Sequence, residues 1–340
     1  MRALKLYGPA DMRLVDIPCP ARPADHALIR VEAVTVCHSD IHYYRYGRIG
    51  DTISDQPLVL GHEFSARVVE APVDSRAKVG DLVAVEPAIS CGHCRYCQEG
   101  NPNLCLNLVF AGIPPLDGGL QEVMAYQPEF LFPLPEGFTA DEGALLEPLG
   151  VAIHGWDLAK TRVGETVAIV GCGPIGLLLI QLARISGATR ILAVDPLAYR
   201  RDLAAALGAI PLSPEKDLAK QAADLTDGYG VDVAIEVAGA VPAQEEAALV
   251  VKRGGTVVLI GIPPEDRIEM THHLVRRKGL TIKVARRMKL TYPRAIALVR
   301  SKLVDIASLA THHFPLERGC EAFDLVADYG DQVVKAVITL

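Results

Sequence analysis

Thr166-Val-Ala-Ile-Val170-Gly171-Cys-Gly173-Pro-Ile175-Gly176 is the stretch that decides the fold. Five apolar or β-branched residues read as a buried strand. Three glycines follow at GxGxxG spacing, and an apolar run over 174–186, stopped at Gly187, reads as a helix. In that setting Gly171 permits a tight turn, Gly173 lets the backbone approach a pyrophosphate, and Gly176 lets the helix press on the sheet, with Ile175 completing the cofactor-binding turn. The unpaired N–H groups of the helix start then face phosphate. Asp195 stands at the end of a second strand, 190–195. A carboxylate there accepts hydrogen bonds from both ribose hydroxyls of NAD and repels the 2′-phosphate of NADP. Arg200, a further cofactor-binding candidate, could support a phosphate, but Asp195 favours NAD.

Outward from this turn, strands are expected at 231–237, 256–260 and 280–284, with helices through 202–207, ended by Gly208, and near 243–252. Strands alternating with helices imply an α/β fold with a parallel, doubly wound sheet. The first 150 residues have another texture. Short apolar runs such as Leu28-Ile-Arg-Val, Ala66-Arg-Val-Val and Leu82-Val-Ala-Val alternate with Pro, Gly and Asp turns, a β-rich pattern. After 287 the sequence predicts a helix over 292–302, a turn-rich Thr311-His-His-Phe-Pro-Leu and a closing apolar strand over 333–340. This tail is too short for a domain of its own and is expected to pack on the first 150 residues.

The net charge of −7 speaks against nucleic-acid or anionic-membrane partners, which need basic faces. No apolar run reaches membrane-spanning length, and the first residues lack the apolar core of an export signal. The eight cysteines therefore read as metal ligands and free thiols in a reducing cytoplasm. Cys91-Gly-His-Cys94-Arg-Tyr-Cys97 and Cys105 have the spacing of a tetrahedral all-sulfur zinc site, and such closed sites are structural. Cys37-His-Ser39-Asp40-Ile-His42-Tyr43 and Gly61-His62-Glu63 form a second set. A thiolate, an imidazole and a carboxylate can hold zinc while leaving a position open for substrate.

These stretches, with Pro57-Leu-Val-Leu-Gly-His-Glu63, Leu146-Glu147-Pro-Leu-Gly-Val-Ala-Ile-His154 and Thr311-His-His-Phe-Pro-Leu-Glu-Arg318, resemble the zinc-containing medium-chain alcohol dehydrogenases. The resemblance covers essentially the whole chain and is closest to the sorbitol/xylitol (polyol) branch. It implies a GroES-like catalytic domain of residues 1–150 and 288–340, with a structural zinc lobe at 91–105, into which a Rossmann NAD-binding domain, 151–287, is inserted. It further implies a catalytic zinc on Cys37, His62 and Glu63 with Glu147 close by, either carboxylate being the direct ligand. Asp40 would orient His62. Ser39 and His42 would pass a proton to solvent, Tyr43, Glu147 and Arg287 would contact a polyol substrate, and Arg286 would lie beside the nicotinamide. The implied reaction makes a secondary hydroxyl acidic on zinc and moves hydride from its carbon to NAD, giving a ketose. The family's habit is a homotetramer. Ala66 replaces a usual glycine, and Met288 stands where sorbitol dehydrogenases share an aromatic residue, which leaves the substrate open. The alternatives are another zinc enzyme of this class, an idonate-type aldonate or threonine dehydrogenase, and a non-catalytic NAD-binding sensor.

Overall fold

The computed structural model describes residues 1–54 and 56–340. The chain divides into two compact units, one of Met1–Pro148 with Tyr292–Leu340 and one of Leu149–Thr291.

The continuous unit is built on six parallel strands. Their order is Ile210–Leu212, Arg190–Val194, Thr166–Val170, Val231–Glu236, Val251–Leu259 and Thr281–Val284. The central strands are apolar along their length because helices cover both faces, so neither face needs polar side chains. Val170, Leu192, Val194, Ala234, Val257 and Leu259 form one core with Ala243 and Ala247. The order reverses at Thr166–Val170: the strands following it in sequence lie on one side, and those from Val231 onward on the other. Ligands bind outside the carboxyl ends at such a switch point.

Two details depart from the periodicity. Ile210–Leu212 is a sixth strand that three residues with a central proline do not announce. The fifth strand starts at Val251, not 256, because the helix Val241–Val250 ends directly in it and Lys252–Gly255 form an irregularity in its register.

In the other unit a mixed sheet runs Leu131–Pro133, Leu82–Val85, Glu63–Glu70, Ala27–Thr35, Lys335–Thr339 and Ala310–Pro315, with Val123–Tyr126 also paired to Ala27–Thr35. The chain's last strand thus lies between the strands Ala27–Thr35 and Ala310–Pro315, as the tail's expected packing requires. Two expectations are corrected here. Thr311-His-His-Phe-Pro belongs to a strand parallel to Lys335–Thr339 and not to a run of turns. Residues 140–159 form a twenty-residue helix inside what reads as a β-rich region. Its positions 143–150 are all buried, so no polar face marks the helical period, and Pro148 lies in its interior.

Among the described residues, no helix is long and apolar enough to cross a membrane.

Candidate active site and metal centres

Three backbone segments meet at the end of the mixed sheet. Register places Thr35 opposite Glu63 on one side and Val337 on the other. Two residues past Thr35, Cys37 caps the helix His38–Tyr46, and the Asp40 carboxylate accepts the Cys37 N–H at 3.3 Å. The thiol is thereby held at a helix N-terminus.

The donor atoms of Cys37, His62 and Glu63 lie within 4.8 Å of one another. Asp40 is buried, and its Oδ1 pairs with His62 Nδ1 at 3.1 Å and accepts the Gly61 N–H at 3.4 Å. Nδ1 donates to the Asp40 carboxylate, which leaves Nε2 as the nitrogen facing the cluster and able to ligate a metal in exchange for its proton. Burial alone would push the imidazole down; Asp40 and Cys37 overcome it and hold the group well above its ordinary value. Ser39 Oγ stands 3.2 Å from Cys37 Sγ and 3.3 Å from His62 Nε2. The Phe110 ring packs against the imidazole, with ring centroids 5.3 Å apart.

Glu63 is buried, and its Oε2 is taken by the Thr35 hydroxyl and the Lys335 ammonium. Lys335, 3% exposed, also donates to the Val36 carbonyl at 3.1 Å. Burial opposes this charge, but Glu63, Cys37 and Glu147 prevail and raise its pKa. Glu147 is buried on the helix Ala140–Ala159; it is felt by Lys335 but lies outside the 4.8 Å donor set. Three buried carboxylates, Asp40, Glu63 and Glu147, thus surround a thiol, an imidazole and one ammonium. That excess of negative donors suits a divalent cation. Tyr43 is buried on the same helix as Ser39, and among the described residues its hydroxyl has no hydrogen-bond partner. Burial and Asp40 push it up to about 12, so it stays a neutral donor available to a ligand. His42, half-buried, sets its ring edge-on to Tyr46.

The four remaining cysteine ligand candidates also converge. Cys94 Sγ lies 3.5 Å from Cys97 and 3.9 Å from Cys105, and Cys105 lies 3.5 Å from Cys91. A tetrahedron with Zn–S bonds of about 2.3 Å has edges near 3.8 Å, so these separations fit a zinc ion. None of the four is in a disulfide. Backbone N–H groups of His93 and Cys94 draw Cys91 down to about 6, while burial and neighbouring sulfurs push Cys97 up to about 12. A divalent cation would favour thiolate at all four.

In the other unit, Gly171 has φ +101°, and a Cβ there would come within 2.7 Å of the Ala238 nitrogen. Only glycine fits. Gly173 caps the helix Pro174–Ile185, with Ile175 in its first turn, and a Cβ at Gly176 would strike the Gly171 carbonyl at 2.0 Å. Asp195 is buried beside this turn, accepting the Cys172 N–H and the Leu197 N–H at 2.8 Å each. The Arg200 guanidinium reaches the Gly173 side of the turn. Arg286 and Arg287 follow the strand Thr281–Val284, Arg287 with φ +54°.

Sequence reasoning missed Lys335, Thr35 and Phe110 at the first site. The one signal available was a lone lysine inside the apolar Val333-Val-Lys-Ala-Val-Ile, where a strand that must be buried carries a charge.

Comparisons with known proteins agree with this geometry. Residues 23–136 match the alcohol dehydrogenase GroES-like domain and residues 174–301 the zinc-binding dehydrogenase domain. The chain is 34% identical to a sorbitol dehydrogenase of Bacillus subtilis over 99% of its own length and 97% of the relative's. The fold is similar to a zinc-binding dehydrogenase of Sinorhizobium meliloti bound to NADP, with TM-score 0.90, 32% identity and coverage of 100% and 99%. It is also similar to 2R,3R-butanediol dehydrogenase of Bacillus subtilis, with TM-score 0.89, 31% identity and coverage of 100% and 99%. With both domains matched and near-complete coverage, the chain belongs to the zinc-binding, GroES-like medium-chain alcohol dehydrogenases, oxidoreductases that act on CH–OH groups.

Proposed function

We propose that the protein oxidises a secondary hydroxyl of a polyol to a ketone, with a catalytic zinc on Cys37, His62 and Glu63, a structural zinc on Cys91, Cys94, Cys97 and Cys105, and NAD on the Gly171–Gly176 turn. The observation that carries this reading is the convergence of sulfur, nitrogen and oxygen donors within 4.8 Å. Zinc so held supplies Lewis acidity to the substrate hydroxyl. Asp40 keeps His62 Nε2 directed at the cluster. Ser39, beside both Cys37 and His62, takes the proton that leaves the substrate, and His42, one helical turn on, passes it outward.

Sorbitol and butanediol, named for two relatives, both carry adjacent hydroxyls. A vicinal diol would use the second hydroxyl to satisfy Tyr43, with Glu147 as an acceptor for the same hydroxyl, which favours polyols over simple alcohols. Arg287 contributes a further substrate contact. Arg286 and Arg200 hold the cofactor, and the buried Asp195 carboxylate selects NAD although one relative holds NADP. We place the protein in the cytoplasm as a homotetramer.

A panel of polyols, aldonates and amino-alcohols with NAD and NADP, run with zinc analysis, tests the reading. Vicinal polyols with NAD should turn over, and wild type should hold two zinc ions per chain. Cys37→Ser should lose turnover and one zinc while still binding NADH. Wild-type turnover in that variant, at full zinc content, would end the proposal.

A further inference from the structure

Glu236 closes the strand Val231–Glu236 and is wholly buried, yet the chemistry above makes no use of it. Its Oε1 accepts the backbone N–H groups of Ala238 at 2.8 Å and Gly239 at 2.7 Å. Its main-chain carbonyl accepts from Ile260 at 2.8 Å and Gly261 at 3.3 Å, in the loop after the next strand. Oε2 is buried with no hydrogen-bond partner among the described residues. Leaving half a carboxyl unsatisfied in the interior is costly, and an apolar side chain would fill the space without that cost. What an apolar side chain cannot do is hold two N–H groups.

Those N–H groups matter through what rests on them. The glycine turn sits against the Ala238 backbone so closely that a Cβ at Gly171 would come within 2.7 Å of its nitrogen. On the other side, a Cβ at Gly261 would come within 2.2 Å of the Gly239 nitrogen and 2.7 Å of Glu236 Oε1. Val237 N–H donates to the Val170 carbonyl at 2.8 Å, tying the same loop to the strand that feeds the turn. Three loops at the carboxyl ends of three neighbouring strands are therefore stacked backbone on backbone, and the Glu236 carboxyl fixes the middle one.

We infer that Glu236 is a positioning residue for the dinucleotide, holding the Ala238–Gly239 loop as the seat on which the pyrophosphate turn is set. This rests on the reading that NAD lies on the Gly171–Gly176 turn. Burial raises the carboxyl's pKa against the pull of the Gly239, Ala238 and Gly261 N–H groups. The bonds to Oε1 need only an acceptor, so a neutral amide serves as well.

The test is NADH affinity by fluorescence titration of the full-length, zinc-loaded protein, with adenosine as a competing ligand that lacks phosphate. Glu236→Met, close in shape but without an acceptor, should weaken NADH about thirtyfold, with turnover at saturating NAD close to wild type and adenosine binding unchanged. Glu236→Gln should restore NADH affinity to near wild type. Wild-type NADH affinity in Glu236→Met would overturn the inference, as would equal losses for NADH and adenosine, or a glutamine variant as weak as the methionine one. Failure of wild type to bind NADH would instead remove the underlying cofactor reading. Should Glu236→Met not fold, hydrogen exchange on wild type decides. NADH should increase protection across 237–241, and unchanged protection there overturns the inference.

Discussion

Lys335 shows at the scale of one residue what a linear reading reaches and what it loses. Cys37, His62 and Glu63 stand out as candidate ligands because metal-binding residue types recur at recognisable spacings. The ammonium that holds Glu63 in place lies 272 positions away and belongs to no motif. Its partnership has an energetic consequence. Removing one member of a buried ion pair leaves the other charge uncompensated, a loss of about 3–5 kcal/mol. In Lys335→Met the Glu63 Oε2 keeps, among the described residues, the Thr35 hydroxyl. Zinc on the same carboxylate would supply the missing positive charge. The variant should therefore be strongly destabilised when chelated and far less so when zinc-loaded, and by linkage it should bind zinc more tightly than wild type. Urea titrations with and without chelator, together with zinc competition, check this. Equal losses in both states, with unchanged zinc affinity, would separate Lys335 from the metal site.

Among elements, those with a strong local signature were readable: the buried strand before the glycine turn, the amphipathic helix Tyr292–Arg300, and the strands flanked by turn residues. The ones that escaped are set by tertiary context. Ala310–Pro315 is polar because it lies at the end of the sheet, and its proline ends it. Ile210–Leu212 exists because Arg190–Val194 offers it a pairing edge. The sheet's opposite end, where the central strands begin, has its own fastening. Asp232 accepts the Thr166 N–H at 2.8 Å and the Thr166 hydroxyl at 2.7 Å, and pairs with Lys252. Burial raises the carboxyl's pKa, but Lys252 and Thr166 outweigh it and hold the group below its ordinary 3.8. A depressed carboxylate stabilises the fold above its unfolded value, and that contribution is lost as pH falls through the folded one. Asp232→Asn should therefore cost about 1–3 kcal/mol at pH 7. Its stability should converge with wild type as the medium becomes more acid than the ordinary carboxylate value. Denaturant midpoints across pH 2–7 measure the difference, and a gap that stays constant into acid would show that the ion pair contributes nothing.

For the whole molecule, the chain leaves its first unit at Pro148 and returns to it at Tyr292. The change of texture near Gly164 and the shortness of the tail made that excursion legible; which strand the tail would pair with was not, because pairing is decided by non-local register. The arrangement puts the proposed metal ligands and the proposed dinucleotide seat in different units. Cys37, His62 and Glu63 and the four lobe cysteines all belong to the unit of Met1–Pro148 with Tyr292–Leu340, whereas the glycine turn and Asp195 belong to Leu149–Thr291. A chain of two units need not unfold in one step. Scanning calorimetry of the intact protein should resolve two transitions with separate sensitivities. NADH at about 100 times its dissociation constant adds about 2.7 kcal/mol to whatever binds it. For a unit of this size that raises the midpoint by about 5–10 °C. Chelation should lower the other transition, and Cys94→Ser should do the same in the presence of zinc because the structural lobe loses a ligand. A single transition that NADH and chelator move together would mean that metal and dinucleotide stabilise one cooperative body, and the assignment of each ligand to its own unit would fail.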